Sequence, residues 1–509
     1  LKPVFTSGIE TPPLASITNR SHTMSAEPTE KTHLLAGKED LEKSVSFAKP
    51  VSQEDLEKSG SFVKRRTTSS VLRRSSFSEN LQEVGSVLQW WMFVVLLVSG
   101  SAAAVGVPHM AFGLFSQNLR EKTGLSEEGT TLILNFGMVG GMVLCFVPGM
   151  LYDAYGYKFM VAFGGAFSLA GALTWFFYLS QGGTSVLPLA IGYFLQSFGA
   201  RTQFLTGQVA SMSAFPAELA GSVSATLAIC VSLGYILLPV SWKAFFQDPE
   251  AETALPIARF HGFLACIFFV NTLAGLAISP LMGRVEAPDT FERQQPSLVG
   301  KLLKLVSKDG FTLIAMVTLS FSFLIVYISA GCAAVGKEAL GDVSASERDS
   351  QVASTLGNVG TFGLVGRFVL GFGADFLQLV PATGKAARWI ALMTAAALTA
   401  FVYVTFWIQY AGQGSTVPLM WKVGSCVLAF SYGGFGAIFP ATVRVLFPAD
   451  VGLFFGGLTS YTGVLNVFYT MIFTKMHWTS NVWQVFSWGS ILDTLVLLYA
   501  AWRYWGVAP

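Results

Sequence analysis

Gly141–Lys158 reads GMVLCFVPGMLYDAYGYK, and Gly363–Asp375 reads GLVGRFVLGFGAD. Both are apolar runs punctuated by glycine, and each leads to an aspartate. Gly141, Gly149 and Asp153 in the first stand where Gly363, Gly371 and Asp375 stand in the second, 222 residues further on. A second echo supports the first: Phe215-Pro216-Ala217-Glu218 returns as Phe447-Pro448-Ala449-Asp450 after 232 residues. Each Pro suits the first turn of a following helix, and each acid suits the positive end of that helix's dipole. Two separate signals at nearly the same offset indicate a chain made of two related halves, the pattern of a carrier whose halves rock about a shared midplane site.

Working outward, the surroundings of both stretches are too apolar for water. The chain is 52% hydrophobic and 12% charged, with a net charge of +2, where soluble domains carry about 25% charged residues. That excludes an ordinary soluble enzyme, a disordered scaffold and a nucleic-acid binder. Of the 62 charges, 23 fall in residues 1–87, and the remaining 39 are spread over 422 residues, about 9%. Apolar runs long enough to cross a bilayer are expected at 88–116, 130–152, 159–180, 186–214, 217–240, 259–283, 310–334, 350–374, 387–410, 417–445, 449–474 and 482–504. The expectation is an all-α membrane protein, with twelve transmembrane helices in two pseudo-symmetric six-helix bundles. Residues 88–283 form the first bundle and 309–509 the second, joined by a cytosolic loop at 284–308.

Residues 1–87, rich in Ser, Thr, Glu, Lys and Pro, are expected to be a disordered cytosolic tail. Glu39–Lys49 is repeated as Glu54–Lys64, and Arg65-Arg66-Thr67-Thr68 and Arg73-Arg74-Ser75-Ser76 offer kinases a basic context or anionic lipid a docking site. Glu30 with Leu34-Leu35 resembles an acidic dileucine signal for sorting adaptors. The chain opens on Leu1, and Met24 is an expected initiator. Lys/Arg near the helix ends favour cytosolic placement of Lys158, Arg284, Lys301, Lys304, Lys308, Arg388 and Arg444, and of both termini. The plasma membrane or a vacuolar or endosomal membrane is the expected location. The five cysteines lie inside apolar runs without metal-ligand spacing. Nucleotide loops and nucleophile–base pairs are missing too, so no cofactor, no metal and no enzymatic activity are expected.

Gly149–Lys158 resembles the signature loop between spans 2 and 3 of the major facilitator superfamily. Gly149, Asp153, Gly156 and Lys158 match, while Ala154 and Tyr157 replace basic residues. Ala111–Ile133 is similar to the first-helix exit of nodulin-like and monocarboxylate transporters, and Phe215-Pro216 also suits the nodulin-like branch. The Arg367–Asp375 segment resembles span 8 of monocarboxylate carriers, whose arginine holds the substrate carboxylate. Pro108-His109 falls where those carriers often have Pro-Lys, part of a proton-linked gate. The acid four residues before the arginine is Gly363 here, and His replaces Lys. The resemblance implies the superfamily's fold and alternating access, with Asp153, Lys158 and Asp375 in a gate.

Ionisable groups at membrane depth are costly and mark function. Arg201 lies midway along span 4, with Phe204 beside it and Gln208 on the same face, and its fork suits a carboxylate. Arg367 lies eight residues, about 12 Å of rise, from Asp375. His109 is a natural proton acceptor. On span 11, Thr459 and Asn466 share a face, with Tyr461 and Tyr469 nearby. Asp493, on peripheral span 12, reads as a carboxylate held by a neighbouring helix, and the large Phe residues read as lipid-facing. Together these point to secondary transport of a small organic anion, a mono- or dicarboxylate. The expected binding residues are Arg201, Arg367, Gln208, Asn466 and Tyr461, in a site lined by spans 1, 4, 5, 7, 8, 10 and 11, with a proton coupled through His109. The alternatives are an amino-acid or other zwitterion carrier, with Tyr461 against the ammonium, and a transport-inactive receptor or scaffold acting through its tail.

Overall fold

The computed structural model describes residues 85–106, 112, 115–246, 253–282, 321–341, 343–380, 387–447, 450–475 and 480–504. The expectations for residues 1–84, for the 284–308 loop and for His109 fall outside the described residues. In the first half, α1 spans Trp90–Val105, α2 Glu127–Met138, α3 Phe146–Ser180, α4 Val186–Ala214, α5 Ala220–Ser241 and α6 Leu255–Met282. In the second half, residues 321–326 run through a π-turn, Tyr327–Gly331, into α7, Cys332–Ala339. Then follow α8 Ala345–Leu379, α9 Ala387–Gln413, α10 Pro418–Leu446, α11 Val451–Lys475 and α12 Ser480–Tyr504.

Local chemistry sets the ends. The Ser126 hydroxyl accepts from Gly129 N at 3.1 Å, and Glu127 and Glu128 occupy the first turn of α2, satisfying an orphan donor and complementing the dipole. Ser344 caps α8 in the same way. Span 2 continues from α2 through a π-turn, Val139–Val143, into the start of α3. Gly156 then takes φ 74° and ψ −176° inside α3, a conformation a residue with a Cβ avoids. It breaks α3 between the second and third spans, within the gap expected at 153–158.

Among the described residues, eight helices are long and apolar enough to cross a membrane by length and composition, including α3, α5 and α12. Phe269, Val270 and Leu273 on α6 are exposed large apolar side chains, as a lipid-facing stripe requires. α4 fails that apolar test because of its place in the bundle. It is packed by α1, α2 and α3, so its polar side chains meet protein instead of lipid. Gln203 donates to Thr272 on α6 at 2.7 Å, and Gln196 pairs with His261 of the same helix at 3.0 Å.

The halves repeat one packing scheme. α3 lies on α6 as α9 lies on α12, and α2 lies on α4 as α8 lies on α10. Between halves, α5 lies on α8 and α10, and α11 lies on α3 and the π-turn after α2. The cross-half contacts depend on the glycines of the duplicated stretch. A Cβ at Gly149 would run into the Gly452 carbonyl, and one at Gly371 into the Ala225 side chain.

Gly149→Ala therefore forces the halves apart, at a cost of about 1–3 kcal/mol, and is expected to lower the apparent Tm of the purified protein in detergent. Gly373→Ala meets nothing within 4 Å and is expected to leave Tm within the range of a surface substitution, about ±0.5 kcal/mol.

Candidate functional site

Side chains from both halves line a partly open cavity of about 140 Å³. α4 contributes Arg201, Phe204 and Gln208, three residues on one face of a helix whose other sides are covered. α8 contributes Arg367, and α10 contributes Tyr432 and Phe439. Phe321 and Ile325, one turn apart, face them from the seventh span, and α11 adds Phe455, Thr459 and Thr462. Sequence spacing put Arg201 and Gln208 on one face of span 4 and Arg367 on span 8, and the fold places all three around one space.

No Asp or Glu occurs among the described lining residues. The Arg201 guanidinium lies 4.5 Å from the Phe204 ring centroid, and that of Arg367 lies 5.4 Å from the Tyr432 ring. The Nε atoms of both arginines are buried and make no hydrogen bond among the described residues. Ring faces return about 0.5–2 kcal/mol to a cation, less than the several kcal/mol that desolvating each charge costs. The site is thus two under-compensated cations in an aromatic setting. Gln208 donates to Ser224 Oγ at 3.2 Å, which leaves its Oε1 buried and without a partner among the described residues.

About 12 Å along α8 from Arg367, at Asp375, and at its counterpart Asp153, a cross-half latch repeats itself. Asp153 accepts from Gly452 N at 3.1 Å and Leu453 N at 2.7 Å, in the first turn of α11. Asp375 accepts from Gly221 N at 3.1 Å and Ser222 N at 2.5 Å, in the first turn of α5. Each carboxylate thereby caps a helix of the opposite half, where free N–H groups and the dipole favour an anion. Arg388 donates to the Ala217 carbonyl at 2.6 Å and stands 3.7 Å from Asp375, and Arg444 donates to the Phe215 carbonyl at 2.8 Å. Glu218 lies in the first turn leading into α5, and Asp450 directly precedes α11, so each helix start carries its own acid beside the carboxylate from the opposite half. Towards the other end of α8, Gly357 and Gly360 have no neighbour within 4 Å of a Cβ position.

Other expected site residues lie elsewhere. Asn466 is buried one turn beyond Thr462, with its amide directed at Met142 Sδ at 3.8 Å, so it sits behind a lining residue. Tyr461 does not join the cavity: two residues from Thr459, it falls on the side of α11 that exposes Val464 and Phe468. Lys158 is exposed beside the latch. Asp493 is buried in α12, outside the lining. The assignment of large Phe residues to lipid fails for Phe321, Phe439 and Phe455, which face the cavity, while Phe204 lies beside Arg201 as expected. Spacing of i and i+4 in Phe321/Ile325 and Phe455/Thr459 was the available signal, and it does not tell a cavity face from a lipid face.

No protein-family model and no curated protein matches the sequence. The fold matches solved major facilitator superfamily structures. A bacterial homologue of the iron transporter ferroportin, in an outward-facing state, aligns at TM-score 0.64 and 12% identity, over 82% of this chain and all of that one. The proton:xylose symporter XylE bound to 6-bromo-6-deoxy-D-glucose aligns at TM-score 0.58 and 14% identity, over 82% and 96%. The E. coli fucose:proton symporter FucP aligns at TM-score 0.58 and 12% identity, over 82% and 98%. At these identities the likeness establishes the major facilitator fold.

Asp153→Asn and Asp375→Asn each weaken a charged cap worth about 1 kcal/mol. Hydrogen exchange of the amides at 452–453 and 221–222, respectively, is expected to accelerate about fivefold, in line with that energy. Unchanged exchange would show that the caps do not hold the latch.

Proposed function

We propose that this protein is a secondary transporter that moves a small organic anion by alternating access. The observation carrying this is the pair of guanidinium groups, one from each half, around a cavity with no carboxylate among its described lining residues. One buried cation, Arg367, and one half-buried, Arg201, with no counter-charge among the described lining residues, favour a cargo that brings negative charge, and Arg presents a planar fork matched to a carboxylate. The solved structures of like fold carry sugars or iron by their own names. The unpaired arginines are the reason to assign this chain a different cargo, as in the nodulin-like and monocarboxylate branch its sequence resembles.

In this reading the latch is the cytosolic gate, and the described conformation is closed to the cytosol. An anion bridging Arg201 and Arg367 draws the halves together on the other side, and the glycine-lined interface at Asp153 and Asp375 then parts. His109 supplies the coupled proton, and the tail carries kinase and adaptor contacts. The carrier sits in the plasma membrane or in a vacuolar or endosomal membrane.

The test is uptake of labelled carboxylates into proteoliposomes with and without a pH gradient. Arg201→Ala and Arg367→Ala are each expected to lower uptake at least about 100-fold, the scale of breaking a buried charge pair, with normal yield and Tm. Undiminished uptake in both variants would remove the anion argument. Loss of gradient stimulation in His109→Ala, with exchange retained, is the expected signature of proton coupling. A gradient response equal to that of the parent would exclude it.

A further inference from the structure

The walls between the two arginines describe the body of the cargo. Phe321 stacks on Tyr432 with centroids 5.7 Å apart and 14° between planes, and it meets Phe439 edge-on at 5.5 Å. With Phe204 and Phe455 these rings form the aromatic part of the cavity wall. The polar wall is sparse. Thr459 and Thr462 donate their hydroxyl hydrogens to the Phe455 and Leu458 carbonyls of their own helix, at 3.0 and 2.9 Å, so neither has a donor left. Gln208, 2% exposed, presents Oε1 with no donor among the described residues. Both Arg Nε–H groups are likewise unused. A cargo that satisfies this inventory brings acceptors for the guanidinium groups, a flat apolar body for the rings, and at least one donor for Gln208.

We infer that the cargo is a one-ring aromatic hydroxycarboxylate, its carboxylate on the arginines, its ring among Phe321, Tyr432 and Phe439, and its hydroxyl donating to Gln208 Oε1. This rests on the anion proposal above and narrows it. A short aliphatic acid leaves the rings uncovered. A dicarboxylate puts a second charge against them, and a sugar leaves both guanidinium groups without an anion.

The experiment is competition against labelled 4-hydroxybenzoate uptake by the full-length protein in proteoliposomes, with 3-hydroxybenzoate, benzoate, lactate, succinate and glucose as competitors. At least one hydroxybenzoate is expected to compete about tenfold better than benzoate, the scale of one hydrogen bond to an otherwise unsatisfied buried acceptor, and better still than lactate or succinate. Gln208→Leu is expected to collapse the hydroxybenzoate-to-benzoate ratio to near one. Phe439→Ala is expected to weaken both aromatic acids relative to lactate. Lactate or succinate competing as well as the aromatic acids, with arginine dependence intact, would overturn this inference and leave the anion proposal standing. A hydroxybenzoate preference unmoved by Gln208→Leu would overturn the role of Gln208. Should no acid in the panel be carried or compete, the anion proposal and this inference both fall.

Discussion

Two arginines, Arg367 buried and Arg201 half-buried, both facing aromatic rings, set the terms for the rest of the molecule. A guanidinium in a low-dielectric space is costly unless something negative or strongly polar meets it. Neither Arg201 nor Arg367 has a carboxylate among the described residues lining its cavity. Each belongs to a different half, so whatever neutralises them also couples the halves. The same feature explains α4, the least lipid-like of the long helices of the first half, which is enclosed by α1, α2 and α3 because it presents Arg201 and Gln208 inward.

The latch supplies the opposing requirement. The proposed alternating access needs contacts strong enough to close one end and simple enough to release. Caps on helix N-termini meet both needs: the donors already exist, their alignment is fixed by the helix, and parting exposes them to water, which satisfies them again. Duplication gives two of them, Asp153 on α11 and Asp375 on α5. Glycine at the crossing points lets backbones approach closely without an interlocked side-chain layer. The latch and the cavity share helix α8, where Arg367 and Asp375 lie about 12 Å apart along the axis, so a charge change at one is mechanically close to the other.

Much of this was legible in the sequence. Hydropathy located the eight described helices that are long and apolar enough to cross a membrane, and the 222-residue echo placed Asp153 and Asp375 in equivalent positions. Charge at membrane depth singled out Arg201 and Arg367, because burial of a charge leaves few alternatives. The aromatic wall was not legible, since a Phe on a spanning helix faces lipid or a cavity with the same local pattern, and only the packing of helices distant in sequence decides. Tyr461 shows the same limit: it lies two residues from Thr459, and its proximity in sequence concealed a turn to the other side of α11. The caps by Asp153 and Asp375 join residues about 300 and 150 positions apart, which no local signal specifies, although the resemblance of Gly149–Lys158 marked the first of them.

Binding of benzoate and of its neutral analogue benzamide to the purified protein, compared between the parent and an Arg201→Gln/Arg367→Gln double variant, tests the central claim most directly. The two ligands share a ring and nearly a shape and differ in charge. If uncompensated guanidinium groups define the site, the parent binds benzoate at least about 100-fold tighter than benzamide, in line with a buried charge pair, and the double variant loses that discrimination. Equal affinity of the parent for the two ligands would contradict the account.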